Sequence, residues 1–250
     1  MTRVGLYRIG LVALPAVALE LLCRGGVIDR LTMPPPSQIV DGLVRILLAG
    51  QMTGAILKTL ANVTLAFVLS LLIGIAAAAA IHRVPFVRRL LDPLFATYYA
   101  IPIYAFYPLF MIVFGLGDAP QVLIAFMLAV VGVIVSTLNG LDTLPRALLR
   151  TARVYRMNPV QTALRITLPY AAPFLFTGMK LAIAYAFIGV IGAEFIMSRT
   201  GLGYEIRFAY DNLDNLVMYP LILLILLLAS GINMTLDHWE RLLLARRARR

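Results

Sequence analysis

Two ionisable side chains, Lys180 and Glu194, stand in an apolar run from Tyr170 to Phe195. A charge there is expensive in hydrocarbon, so it faces a cavity, a partner or the nearest water. Fourteen residues separate the two, about 21 Å along a helix, so they cannot pair with each other. Lys180 can present its ammonium to an anionic solute or bend its stem towards the nearer water boundary. Glu194, at the far end of the run, can join a gate, receive a docking partner or lie in the boundary itself. A second concentration of chemistry is aromatic. Residues 98–108 read Tyr98-Tyr99-Ala100-Ile101-Pro102-Ile103-Tyr104-Ala105-Phe106-Tyr107-Pro108, with four tyrosines and two prolines. A buried phenol needs a hydrogen-bond partner, and a helix broken at proline frees carbonyls that a cavity or neighbouring groups must satisfy. Tyr104 and Tyr107 are the best candidates to line a path for a solute. Tyr98 and Tyr99 suit an interfacial belt.

Enzymatic chemistry is poorly served. The acids are scattered, with no paired carboxylates, no histidine pair and no activated nucleophile. His82 and His238 are far apart and Cys23 is alone, which leaves no metal cluster and no internal disulfide. No Gly-x-x-x-x-Gly-Lys-Ser/Thr loop is present to cradle the phosphates of ATP. The sequence therefore predicts no catalytic residue, cofactor or metal in this chain.

The elements that hold these groups follow from composition. Hydrophobic residues make up 61% of the 250 and charged residues 14%, against about 45–50% and about 25% in soluble domains. With a mean hydropathy of +0.90, too little polar surface remains to cover a soluble globule. The sequence predicts an all-α integral membrane protein. Crossing a bilayer takes about 20 mostly apolar residues. Residues 59–81, 93–117, 119–141 and 215–236 meet this without a charge, while 6–23 carries Glu20 and 170–195 carries Lys180 and Glu194. Six spans in a single transmembrane domain over 1–250 are expected. Arg3 and Arg8 before Ile9–Leu19 resemble a secretion signal, but no small-residue cleavage site follows, so this run is expected to remain as the first helix.

Basic residues set the orientation. An even number of spans puts both termini on one side. That side collects Arg3, Arg8, Arg83, Arg88, Arg89, Arg146, Arg150, Arg153, Arg156, Arg165, Arg241, Arg246, Arg247, Arg249 and Arg250, which are 15 of the 22 bases. Cytoplasmic loops gather such charges, so both termini are expected in the cytoplasm, and the net charge of +10 needs no nucleic acid to explain it. The extracytoplasmic loop 24–58 has an extended Met33-Pro34-Pro35-Pro36, after which Ser37 is expected to cap a short helix. That helix would lay Ile39, Val40, Leu43, Val44 and Leu47 on the bilayer surface. In the cytoplasmic loop 142–169, Thr143 is expected to cap a helix Arg146–Met157, and Asn158-Pro159 to open a second at Pro159–Thr167. Two short apolar-faced helices among arginines suit docking to a cytoplasmic partner better than a merely solvated loop. In the fifth span, Gly178, Gly189 and Gly192 with Ala182, Ala186 and Ala193 form a small-residue face, expected at a contact with a second copy or in a path wall.

The cytoplasmic loop resembles the Glu-Ala-Ala loop of permeases in ATP-binding-cassette (ABC) importers. That pattern is Glu-Ala-Ala, three residues, Gly, nine residues, Ile, one residue, Leu-Pro. Here Ala152 takes the third position and Ile166-Thr167-Leu168-Pro169 ends the pattern at the same spacing. Arg150, Thr151 and Arg156 stand where Glu, Ala and Gly are usual. The run Pro34–Leu43, the stretch from Tyr107-Pro108-Leu109-Phe110 to Phe114-Gly115-Leu116-Gly117, and Gly192-Ala193-Glu194-Phe195 with Gly201-Leu202-Gly203 are similar to one subfamily. It comprises the sulfonate, taurine, nitrate and pyrimidine-precursor permeases.

The resemblance implies a type I importer permease fold in the bacterial inner membrane. It implies a second permease copy or homologue, two ATPase subunits that bind ATP and Mg, and a periplasmic or lipid-anchored solute-binding protein. It places Arg150, Ala152, Arg153, Arg156, Ile166, Leu168 and Pro169 in coupling to the ATPase. The solute would be a small anion or a small heterocycle. An autonomous secondary transporter or channel is the alternative. Such proteins often carry internal repeats, and none is evident between residues 1–125 and 126–250.

Overall fold

A computed structural model describes residues 3–29 and 32–248, and among them every regular element is helical. The helices are α1 (Arg3–Arg24), α2 (Pro36–Ala49), α3 (Thr53–Arg83), α4 (Pro85–Thr97), α5 (Tyr107–Phe114) and α6 (Asp118–Asp142). They continue with α7 (Arg146–Val154), α8 (Pro159–Thr162), α9 (Leu168–Met197), α10 (Leu202–Asp211) and α11 (Asn215–Ala248). The side chains of Arg3, Arg8, Arg246, Arg247, Arg249 and Arg250, counted above for orientation, lie outside the described residues.

Among the described residues, four helical stretches are long and apolar enough to cross a membrane: Thr53–Arg83, Asp118–Asp142, Pro159–Met197 and Asn215–Leu242. A further apolar pair of helices is bent, as in a broken span or a re-entrant loop. Pro85–Ala100 and Ile103–Phe114 meet at 88°, so the span expected at 93–117 is no single helix. The break lies at Ile101, whose ψ of 126° is extended, as a residue before proline prefers, and short 3-10 turns flank it on both sides. The second loop helix differs from expectation in the other direction. It runs on into α9 through a wide π turn at Ala163–Thr167, in which the Leu168 N–H donates to the Ala163 carbonyl. Widening this turn accommodates Pro169, whose ring would press on the carbonyl of Arg165 in a regular helix.

The chain forms two compact units: Met1–Lys58 with Glu194–Leu228, and Thr59–Ala193 with Ala229–Arg250. In the first, Leu43 of α2, Leu202 and Ile206 of α10, and Leu221 and Leu224 of α11 share one apolar core. The face expected on α2 is split, because Leu43 turns into that core, joined by Ile46, while Val40, Val44 and Leu47 point out. Ser37 does not cap α2 either. Pro35 occupies the N-cap without a capping side chain, and the Ser37 N–H and hydroxyl both donate to the Glu20 carboxylate, at 2.9 and 2.7 Å. Arg24 donates to the same carboxylate at 2.6 Å.

α6 is the centre of the second unit. Its Ala129 and Val133 pack with Ala182 of α9 and with Phe67, Leu71 and Ile75 of α3, and its Ile134 and Leu138 pack with Ala78 and Ile81. The small-residue face of α9 is consumed here. Gly178 lies against Val133 and Ser136, and Gly189 lies directly on Ala125. These glycines let α9 approach α6 inside one chain, so that face serves no second copy.

Candidate functional site

The cytoplasmic loop is closed by its own backbone. α7 stops at Val154, three residues short of expectation, in a left-handed turn. The Met157 N–H donates to the Ala152 carbonyl at 2.9 Å and the Arg156 N–H to the Arg153 carbonyl at 3.0 Å. These are the two bonds of a Schellman ending, which needs a positive φ at the residue after the cap. That residue is Arg156, with φ 48°, which explains why glycine is usual at this place in the pattern. The next helix is capped as the sequence predicts. Gln161 N–H donates to the Asn158 carboxamide at 2.7 Å, and the Asn158 N–H donates back to the Gln161 side chain at 3.0 Å. Thr143 does not cap α7, because Pro145 holds the cap position and the Thr143 hydroxyl donates to the carbonyls of Asn139 and Gly140.

Ala152 is 3% exposed and faces its own chain. It closes the loop from within. The solvent side carries Arg150, Arg153 and Arg156 with Val154 and Tyr155. Ile166 is half-buried and Leu168 exposed, and Pro169 follows the π turn.

The tyrosines divide differently from expectation. Tyr107 is 3% exposed and packs with Ile103, Ile124 and Ala193, which makes it core rather than a path wall. The Tyr104 hydroxyl donates to the Ile188 carbonyl at 2.6 Å, and its ring fills the space above Gly192. Tyr98 donates to the Met127 carbonyl at 3.0 Å. Tyr99 is 44% exposed and stacks on Tyr185 of α9, with centroids 5.1 Å apart and planes at 19°. Tyr185 was missed because its aromatic partner lies 86 positions away in the chain.

Glu194 is fully buried, 0% exposed. Its carboxylate accepts the Gly203 N–H at 2.9 Å, so it lies at the start of α10 and not at an aqueous boundary. Gly201 is the N-cap of α10, at φ 102° and ψ 167°. That conformation is open almost solely to glycine, and a Cβ there would collide with the Glu194 carboxylate.

These features meet a family. Residues 70–249 match the model for the binding-protein-dependent transport system inner membrane component. The chain belongs to this family. It is a multi-pass inner-membrane permease subunit of an ABC importer. Among its relatives, the taurine transport system permease protein of Escherichia coli (strain K12) is 27% identical over 86% of this chain and 80% of its own. The bicarbonate transport system permease protein of Synechocystis is 27% identical over 77% and 72%. A nitrate import permease protein from the same organism is 24% identical over 80% and 75%.

Lys180 of the permease is held by its own chain. Its ammonium donates to Asp237 at 2.6 Å and to Glu240 at 2.5 Å, both on α11, and Asp237 also accepts from Arg241 at 2.7 Å. The charge expected to meet an anionic solute is thus answered twice. Residues 57 and 60 positions away supply the partners, a distance over which no helical spacing could have revealed them.

Proposed function

We propose that two permease chains, identical or homologous, enclose a path between two ATPase subunits and a periplasmic or lipid-anchored solute-binding protein. ATP and Mg are bound by the ATPases, and this chain contributes no catalytic group. Its six spans are α1, α3, the bent pair α4–α5, α6, the α8–α9 run and α11, forming one transmembrane domain with both termini in the cytoplasm. α1 has 22 residues, about 33 Å of helix, which suffices for one crossing.

Coupling runs through loop 142–169, and the single observation that supports it is the loop's geometry. Two short helices joined by a Schellman turn and a capping box hold Arg150, Arg153 and Arg156 outward on a rigid frame. Such a frame suits an acidic cleft, with Ala152, Ile166 and Pro169 supporting it from behind and the exposed Leu168 beside it. The path is walled by the outward flank of α9 (Leu181, Tyr185, Ile188) and by Tyr99. Tyr104 shapes that wall through Ile188. The solute is a small anion or a small heterocycle, and the taurine, bicarbonate and nitrate in the relatives' names favour the first.

A tagged permease should copurify an ATPase. Reversing one rim charge, Arg153→Glu, should weaken that association, and more so at low ionic strength, where exposed charges are screened least. Association unchanged by this reversal at low salt would remove the arginine face from the coupling role.

A further inference from the structure

The end of α9 and the start of α10 exchange caps. Glu194, one turn before the end of α9, accepts the Gly203 N–H in the first turn of α10. Arg207, from the body of α10, donates in return to the carbonyls of Ile196 and Ser198 at the end of α9, at 2.9 and 3.1 Å. An anion meets the positive end of one helix and a cation meets the negative end of the other, the favourable sense for both helix dipoles. The four-residue turn between them is also tied. The Ser198 hydroxyl donates to the Thr200 carbonyl at 2.7 Å, and Lys58 of α3 donates to the Thr200 hydroxyl. Gly201 has no Cβ because the carboxylate occupies that space.

α10 is gripped on its other side by the core, through Leu202 and Ile206. Gly201 at the cap position has no side chain to satisfy this donor, and the carboxylate answers it from the preceding helix. A fully buried carboxylate is a costly substitute. It makes the joint a stiff elbow.

We propose that Glu194 and Arg207 are positioning residues for transport, fixing α10 to the end of α9 so that binding-protein engagement on the extracytoplasmic side moves α9. The inference rests on the permease reading given above. Glu194 acts here as a hydrogen-bond acceptor for α10. It is neither a charge offered to the solute nor a contact for the binding protein.

The test uses the complete complex in lipid nanodiscs, with the permease, its ATPase and its solute-loaded binding protein. ATP hydrolysis is followed as the binding protein is titrated. Glu194→Gln keeps the shape and an acceptor for Gly203, so its stimulated rate should stay within about three-fold of the unaltered complex. Glu194→Ala leaves that N–H unanswered and should lower the maximal stimulated rate about ten-fold or more, with the half-saturating concentration of binding protein unchanged. Arg207→Met and Arg207→Lys form a second pair on a less buried residue, for use if Glu194→Ala does not assemble. Met should lower the maximum as Ala does, and Lys should restore part of it. A direct docking role predicts the opposite pattern, with an unchanged maximum and a raised half-saturation. That pattern, or Glu194→Gln as damaging as Glu194→Ala, overturns the proposal. An unaltered complex that hydrolyses ATP without responding to the binding protein overturns the permease reading instead.

Discussion

Two joints between helices, the turn after α7 and the turn after α9, solve the same problem by different means. Each must satisfy the free carbonyls of one helix end and the free N–H groups of the next start. After α7 every partner lies within five residues: Met157 to Ala152, Arg156 to Arg153, Gln161 to Asn158. After α9 the partners reach from the bodies of the flanking helices, nine residues from Glu194 to Gly203 and eleven from Arg207 to Ile196. The first joint is exposed, so backbone bonds and a polar cap suffice and water completes the rest. The second carries a fully buried carboxylate and is packed on an apolar core. Without a local capping side chain there, the caps come from farther along the chain. The α1–α2 joint belongs to the second kind, since Pro35 cannot cap and Glu20 answers Ser37 from seventeen residues away. At α2 and α10, whose cap positions are filled by Pro35 and Gly201, a more distant acid answers a first-turn N–H instead.

The buried joint is most vulnerable at Gly201. Gly201→Val would place a branched side chain in the space of the Glu194 carboxylate, at a backbone conformation nearly closed to other residues. Strain and overpacking together should cost on the order of 3 kcal/mol or more. The yield of monodisperse protein in detergent and solute uptake should both collapse. Normal yield and uptake would show that the elbow tolerates being opened.

At the exposed joint the matching disruption is Ala152→Glu, which buries an unpaired carboxylate at a cost of several kcal/mol. Because Ala152 faces its own chain, the damage should appear first as new proteolytic cleavage within residues 146–165, with the spans still inserted. Loss of ATPase association should follow. A loop that stays protease-resistant while the ATPase is lost would mean that Ala152 is a direct contact after all.

The smallest effect sharpens the contrast. Arg156→Gly relieves a left-handed non-glycine residue worth about 1–2 kcal/mol. The thermal midpoint of the isolated permease should rise, by roughly 2–4 °C per kcal/mol for a domain of this size. An unchanged or lowered midpoint would mean that the Arg156 side chain contributes enough in place to offset the strain.

Much of this was readable from residue order. Apolar run lengths gave the positions of α3, α6, α9 and α11, because a helix that meets lipid must be uninterrupted and apolar for about 20 residues. Asn158-Pro159 announced the start of α8, because a cap acts on its immediate neighbours, whereas the two prolines of the third apolar run did not say where that span would bend. Loop spacing and the Gly-Ala-Glu-Phe and Gly-Leu-Gly segments pointed to the family that residues 70–249 match.

Residue order thus fixes the long apolar helices, the Asn158 cap and the kind of protein this is. All of these depend on composition or on contacts within about five residues. Only the tertiary structure decided what the charges and aromatic rings do. Lys180 meets Asp237 and Glu240, Glu194 meets Gly203, Tyr99 meets Tyr185, and Tyr107 and Ala152 turn inward. A charge in hydrocarbon must find a partner, but the chain's order does not say which. That choice is made when helices distant in sequence pack side by side and bring particular partners within reach of each group.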